Sequence, residues 1–301
     1  MPELPEAETV ARELDRQVGG RRLGEVWVGR ADVIHGSGAP LDTALPGRRV
    51  VRVHRRGKRV VLELRPAGSL VFHMGMSGRV IVCPARREVE RHTHLRLGIA
   101  GTRREVRFVD PRRFGGVWLL ADGALSVDRP LRELGPEPLT LTRTGFRNLL
   151  RRRRQVKALL MDQYAIAGLG NIYCDESLHA ARIHPLRRAD LLRADEADRL
   201  LRAIKSTLRQ AIRFNGTTFR SYRQANGDAG SFQRRLKVYQ REGEPCRRCG
   251  RTIARWLIAG RSTFFCATCQ PRGDNRRGSA SPHPCAKAPR PGGRVGARSP
   301  D

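Results

Sequence analysis

Long apolar runs are missing from this sequence. No stretch of 18 apolar residues occurs in its 301 positions, which excludes a membrane-spanning helix. The opening segment lacks the basic start and apolar core of a secretory leader. Acidic residues are few: 29 Asp plus Glu face 59 Lys plus Arg, a formal charge of +30. That excess is spread along the chain and predicts a polyanion as partner, nucleic acid above all, while the two absences just named predict a cytoplasmic location. One stretch reverses the trend. The first ten residues, MPELPEAETV, hold three glutamates, two prolines and no base. A frayed end is the usual fate of such residues. The alternative is a terminus used as a reagent, and the rest of the chain decides between them.

Nucleotide loops are also missing. GLGNIY at 168–173 is a glycine-rich turn before a helix, but no GK[ST] follows and the Rossmann spacing is absent. Amides at such a helix start can hold a phosphodiester, with Asn171 assisting. The seven cysteines do not pair as a disulfide framework. Four of them form CRRC at 246–249 and CATC at 266–269, with 16 residues between. Two matched pairs at this spacing predict one tetrahedral Zn²⁺ held by Cys246, Cys249, Cys266 and Cys269. Four thiolates leave no position for a reacting water, so the zinc is structural. Cys83 and Cys174 read as packing residues, and Cys285 has no assignment.

The length suggests two domains with a small module added. EAETVARELDRQVGG after Pro5 reads as a helix stopped by Gly19-Gly20. From 22 to about 120, short β-branched runs separated by Gly, Pro and Asp predict an antiparallel sandwich or barrel. Val60, Leu62 and Leu64 share one face there. Helical spacing takes over from about 131, with Asn171 placed as an N-cap and Asn215-Gly216 as a stop. The fold class is therefore α+β and multidomain. Its expected parts are a β-sandwich over 1–125, a helical domain with a loop over 131–237, a cysteine finger over 238–271 and a disordered basic tail over 272–301.

Three loops carry the remaining chemistry. RRGKRV at 55–60 sets Lys58 after a glycine between strands. Most lysines in such runs are solvated charges. HMGMSG at 73–78 flanks Met76 with glycines, and DPRRFGG at 110–116 brings Arg112 and Phe114. Met and Phe usually belong to a core, but glycines on either side favour protrusion. An arginine beside an exposed Met and Phe equips a protein to wedge into a base stack and fill the space a flipped base leaves. TIARWLIAG and RSTFF fit a hairpin with Arg261 at its turn.

MPELPE, RRGK, HMGMSG, DPRRFG, LGPEPL, LLMDQ with GLGNIYCDESL, GTTF, GEPC and CATCQ follow one another in that order. Together they resemble the formamidopyrimidine-DNA glycosylase family, bacterial base-excision enzymes for oxidised purines, over residues 1 to about 270. The related endonuclease VIII branch, for oxidised pyrimidines, carries a glycine in place of Leu4. PELPE and the loop TTFRSYRQANGDAGSFQ favour the purine branch. The resemblance implies a β-sandwich, a helix–two-turns–helix domain and a zinc finger, with double-stranded DNA in the cleft between. A monomer without an obligate protein partner is expected, since one active site suffices and no interface pattern stands out, and no membrane is expected in the absence of long apolar runs.

The resemblance also assigns roles. Pro2, exposed once the initiator Met is removed, is the nucleophile. An α-amino group has a pKa of about 8, so it is partly neutral at physiological pH, and a secondary amine attacking the sugar C1′ forms an iminium. Glu3 matches the acid/base residue, Lys58 the β-elimination lysine and Arg261 the δ-elimination arginine. Met76, Arg112 and Phe114 match the void-filling trio. His92, Arg112, Arg152, Lys157 and Asn171 match DNA-contact positions, and Glu6 orders the terminus. RHTH stands at 91–94 where the family pattern has KHDH, and Arg59 replaces an aromatic after the lysine. From Arg272 onward seven basic residues face two acidic ones, which predicts added nonspecific DNA affinity. Two other readings compete: an oxidised-pyrimidine glycosylase, and a zinc-dependent DNA-binding protein without chemistry.

Overall fold

The computed structural model describes residues 2–36, 40–66, 68–120, 133–217 and 230–273. Helix α1 spans Leu4–Val18. Its start is a reciprocal cap, in which the Glu3 N–H donates to Glu6 Oε2 at 2.8 Å while the Glu3 side chain caps the N–H of Glu6. Pro5 occupies the first turn, where its missing N–H costs nothing. Val10, Leu14 and Val18, four apart, are buried against the sheets.

Two sheets stack beside α1. One holds β1 (Leu23–Val28), β6 (Arg79–Pro84), β7 (Thr93–Ile99) and β8 (Arg104–Val109) in the antiparallel order β1-β7-β8-β6. The other holds β2 (Ile34–Gly36), β3 (Arg49–Arg56), β4 (Arg59–Arg65), β5 (Ser69–His73) and β9 (Gly116–Leu120) in the order β2-β9-β5-β4-β3. A short helix α2 (Leu41–Ala44) lies between β2 and β3. Val50, Leu62, Phe72, Val80, Leu97 and Phe108 fill the space between the sheets. The sandwich departs from the antiparallel expectation at one edge, where β2 runs parallel to β9 with Ile34 opposite Val117. A three-residue edge strand is too short for alternation to show its direction. Val60, Leu62 and Leu64 do face the core, but Val61 and Val71 are buried on the other side with Leu120.

Among the described residues the α-helices that follow are α3 (Arg143–Leu150), α4 (Val156–Met161), α5 (Asn171–Ala181) and α6 (Ala194–Arg213). Thr142 caps α3, accepting the Gly145 N–H at 3.1 Å. Phe146, Leu160, Tyr173, Leu178, Leu200 and Leu208 form their core, and Leu4 of α1 is inserted into it. Helix α6 ends through Asn215 and Gly216, both at positive φ. The N-cap of α5 is Gly170, not Asn171. Asn171 is the first helical residue, and its amide is committed elsewhere: Nδ2 donates to Ser262 O at 2.7 Å.

The finger is a hairpin of β10 (Ala254–Ile258) and β11 (Arg261–Phe265), in register from Ala254 opposite Phe265 to Ile258 opposite Arg261. Arg261 thus opens β11 beside the turn and is exposed. Cys83 and Cys174 are buried, as packing residues should be. Most of the predicted loop (218–229), most of the basic tail (274–301) and Cys285 lie outside the described residues. Among the described residues no helix is long and apolar enough to cross a membrane.

Candidate active site

The N-terminal segment is not frayed. Pro2 and Glu3 are buried. Leu4 N–H donates to Gly168 O at 3.0 Å. The Glu3 carboxylate lies across the amino end of α5, accepting from Gly170 N at 2.8 Å, Ile172 N at 2.9 Å and Tyr173 N at 3.3 Å. These amides were expected to hold a phosphodiester, and that expectation is corrected: their partner is an internal carboxylate. Glycine at 170 makes the approach possible, since a Cβ there would stand 2.4 Å from Glu3 Cδ. Glu6 locks the segment from the other side, taking Glu3 N–H at 2.8 Å, Thr217 N–H at 2.7 Å, Thr217 Oγ1 at 3.0 Å and the Tyr173 hydroxyl.

Burial pushes the Glu3 carboxyl above its ordinary range and Glu6 adds to this, while Lys58 and the α5 amides pull the other way. Burial likewise pushes the Lys58 amine down, opposed by Glu3 and Glu6 and assisted by Arg261. Two of the charges that act on Lys58, Glu3 and Arg261, are therefore predicted catalytic groups, and Pro2 adjoins Glu3 in the chain. Glu3 and Arg261 thus both lie within electrostatic reach of Lys58, which draws the sandwich, the start of α5 and the finger to one place.

Lys58 is presented by a turn that Glu137 holds. Glu137 Oε1 accepts Gly57 N–H at 2.7 Å, and its carboxylate also binds Arg55 and Arg56. Arg56 continues to the carbonyls of Leu134 and Gly135, both at 2.8 Å. These contacts give LGPEPL a role that its residues alone do not reveal.

The wedge residues come together. A Cβ on Gly75 would lie 2.4 Å from the Phe114 carbonyl carbon, so the two loops touch backbone to backbone. Met76 is 39% exposed and Phe114 54%, large fractions for such residues. The Arg112 guanidinium sits 4.5 Å over the Phe114 ring. Asp110 shapes this loop, accepting from Ser77 Oγ at 2.5 Å and Gly115 N at 2.8 Å. His92 and Arg152 are exposed, in positions open to a phosphate. His73, beside Arg59, was missed by sequence reasoning. Burial and the charges of Arg59 and Lys58 push its imidazole down to about 4, so it is neutral.

Lys157 is a correction. It is fully buried, and its Nζ donates to Asp175 Oδ1 and Thr263 Oγ1, both at 2.7 Å. Asp175 Oδ2 accepts the Phe264 N–H at 2.9 Å. Lys157 therefore ties α4 and α5 to β11 instead of facing DNA. A lysine in a basic stretch gives no sequence signal of which carboxylate it will meet.

The four finger cysteines bring their sulfurs within 4.8 Å of one another, with 3.9 Å between Cys246 and Cys269 and 3.5 Å between Cys249 and Cys266. A tetrahedron with Zn–S bonds of about 2.3 Å needs edges of about 3.8 Å. The donor set fits one structural zinc.

Comparison with known proteins decides the family. Profiles described as the formamidopyrimidine-DNA glycosylase N-terminal domain, the formamidopyrimidine-DNA glycosylase H2TH domain and a zinc finger found in FPG and IleRS match residues 1–117, 134–223 and 243–272. The formamidopyrimidine-DNA glycosylase of Pelotomaculum thermopropionicum is 42% identical over 274 residues, covering 90% of this chain and 99% of that protein. The chain belongs to the formamidopyrimidine-DNA glycosylase family. Among members of the family, that of Xanthomonas oryzae is 41% identical over 90% of this chain and the whole of that protein. The crystal structure of the MutM (FPG) protein from Thermus thermophilus superposes with a TM-score of 0.81 at 41% identity, over 91% of this chain and all of that one. The Lactococcus lactis Fpg in complex with N7-benzyl-Fapy-dG-containing DNA gives 0.83 at 33% identity, over 90% and 100%.

Proposed function

We infer that this chain is a bifunctional DNA glycosylase and apurinic/apyrimidinic lyase acting on oxidised purines in double-stranded DNA. The observation that carries the reading is the Glu3 carboxylate, buried on the α5 amides beside Pro2 and within the field of Lys58. In the proposed sequence the Pro2 nitrogen attacks C1′ of the damaged nucleotide, and the bond from C1′ to the base breaks. Glu3 delivers a proton to the ring oxygen as the sugar opens, leaving an iminium that joins Pro2 to C1′. Loss of a C2′ proton then expels the 3′ phosphate, in the step assigned to Lys58. A second elimination expels the 5′ phosphate, in the step assigned to Arg261. The product is a one-nucleotide gap with phosphate ends. Met76, Arg112 and Phe114 occupy the space left in the stack, and His92 and Arg152 contribute contacts to the strand, while the Asn171 amide stays on the finger backbone. The functional units are 1–125, 131–237 and 238–271, with the tail 272–301 outside them. The site of action is the cytoplasmic nucleoid.

Borohydride trapping tests this on a duplex holding 8-oxoguanine opposite cytosine. The native protein should give a covalent adduct that maps to the N-terminal peptide, and Pro2→Gly should give much less. Adduct formation only with oxidised-pyrimidine duplexes would move the chain to the pyrimidine reading, a substrate class also present in a Lactococcus lactis Fpg complex. Tight binding with no adduct on any lesion would leave the non-catalytic reading.

A further inference from the structure

Helix α5 grips the finger with side chains spaced along it. Asn171 and Asp175 hold the β11 backbone, at Ser262 O and Phe264 N. Glu176 accepts the amides of Lys237, Val238 and Tyr239 at 2.9 Å each. His179 stands four residues after Asp175, on the same side of the helix. It reaches something different: its Nε2 is 3.5 Å from Cys246 Sγ, and both residues are almost completely buried. The same sulfur is 3.5 Å from the Arg248 backbone N–H, and the Arg248 guanidinium returns to His179 O at 3.0 Å.

The chemistry of the sulfur dictates what this contact does. With zinc bound, Cys246 is a thiolate, which accepts hydrogen bonds and donates none. The nitrogen facing it must then carry a hydrogen. An Nε2–H···S⁻ bond is charge-assisted, fixes the orientation of the ligand and spreads its charge. An apolar ring in the same space would pack equally well and leave the thiolate one donor short. We propose that His179 is an outer-sphere partner of the structural zinc, so that retention of the metal depends on α5. The proposal rests on the zinc reading of the four cysteines. It also makes one helix the common support of Glu3, at its amino end, and of the metal, near its carboxyl end.

Zinc release from the full chain into a chromogenic chelator tests it, using the native protein, His179→Phe and His179→Gln. The Phe variant should release zinc faster and bind it about 10- to 100-fold more weakly in competition with the chelator, the loss of affinity typical for removing an outer-sphere partner. The Gln variant, which keeps an N–H donor, should fall between. Nitrogen NMR of labelled histidine in the cadmium-substituted native protein should show Nε2 protonated and its proton coupled to the metal across the hydrogen bond. A folded Phe variant that holds zinc as long as the native protein overturns the proposal. So does a native His179 protonated only at Nδ1, a result that stands even if the Phe variant fails to fold. A native chain purified without one zinc per molecule overturns the zinc reading as well, and metal analysis detects that separately.

Discussion

The Glu3 carboxylate and the Ile172 N–H are 2.9 Å apart, which places an acid on the positive end of α5 inside a dry site. The helix end favours the carboxylate, while burial favours the neutral acid. Burial wins, and the group holds its proton to a higher pH than an exposed glutamate. Glu3→Gln keeps the shape and cannot deliver a proton. Excision of 8-oxoguanine should fall by about 10²- to 10⁴-fold, the usual share of general acid catalysis. Cleavage at a preformed abasic site should be largely retained, because its open-chain aldehyde needs no ring-opening proton. Single-turnover assays on the two duplexes check this. Equal losses on both would show that Glu3 acts by shape alone.

Gly170→Ala tests the geometry without touching a reactive group. The added methyl would stand 2.4 Å from Glu3 Cδ, so the carboxylate must move. A displacement near 1 Å in a catalytic group costs on the order of 10²-fold. The expected result is a comparable fall in excision with DNA affinity nearly unchanged. Full activity in Gly170→Ala would mean that the seat of Glu3 on α5 is not needed for the reaction.

Much of this molecule was legible because its signals are local. Two CxxC pairs, a helix between Pro5 and Gly19, and glycines around Met76 and Phe114 each declare themselves within a few residues. What stayed hidden depends on partners far apart in the chain. GLGN reads as an anion site, and it is one, but the anion is Glu3, 167 residues away from Gly170. Lys157 reads as a cation for DNA, yet it meets Asp175 on the next helix and Thr263 in the finger. Glu137 and the turn it holds at Gly57 are separated by 80 residues. Composition fixes that such charges exist, and only packing fixes whom they meet.

Two imidazoles, His184 buried and His73 half-buried, predict acid lability. His73 and His184 are both held down to about 4 against an ordinary 6.5. His184 accepts the Leu186 N–H at Nδ1 and packs its edge on Phe265, so it is neutral in the fold. The unfolded chain binds these protons first. Stability is therefore complete above pH 6.5 and is lost as pH falls toward 4, by up to about 3 kcal/mol per histidine. Urea unfolding across pH 7.5 to 4.5 should show the fall, and His184→Phe should make it shallower. A curve as steep in His184→Phe as in the native chain would take His184 out of the explanation.

The Lys157–Asp175 pair lies fully buried between the helices and the finger, and it separates a structural lysine from a DNA-binding one. Removing one partner leaves a charge stranded in a dry site, at a cost of about 3–5 kcal/mol. Lys157→Met should therefore lower the urea midpoint strongly, and adding Asp175→Asn should recover part of the loss because the stranded charge is gone. A lysine that neutralised a phosphate would behave in the opposite way. Its loss would leave stability intact and reduce the salt dependence of DNA binding by about one unit of slope. Measuring both quantities on Lys157→Met therefore decides between the two roles, since the buried pair requires a large change in the first and a small one in the second.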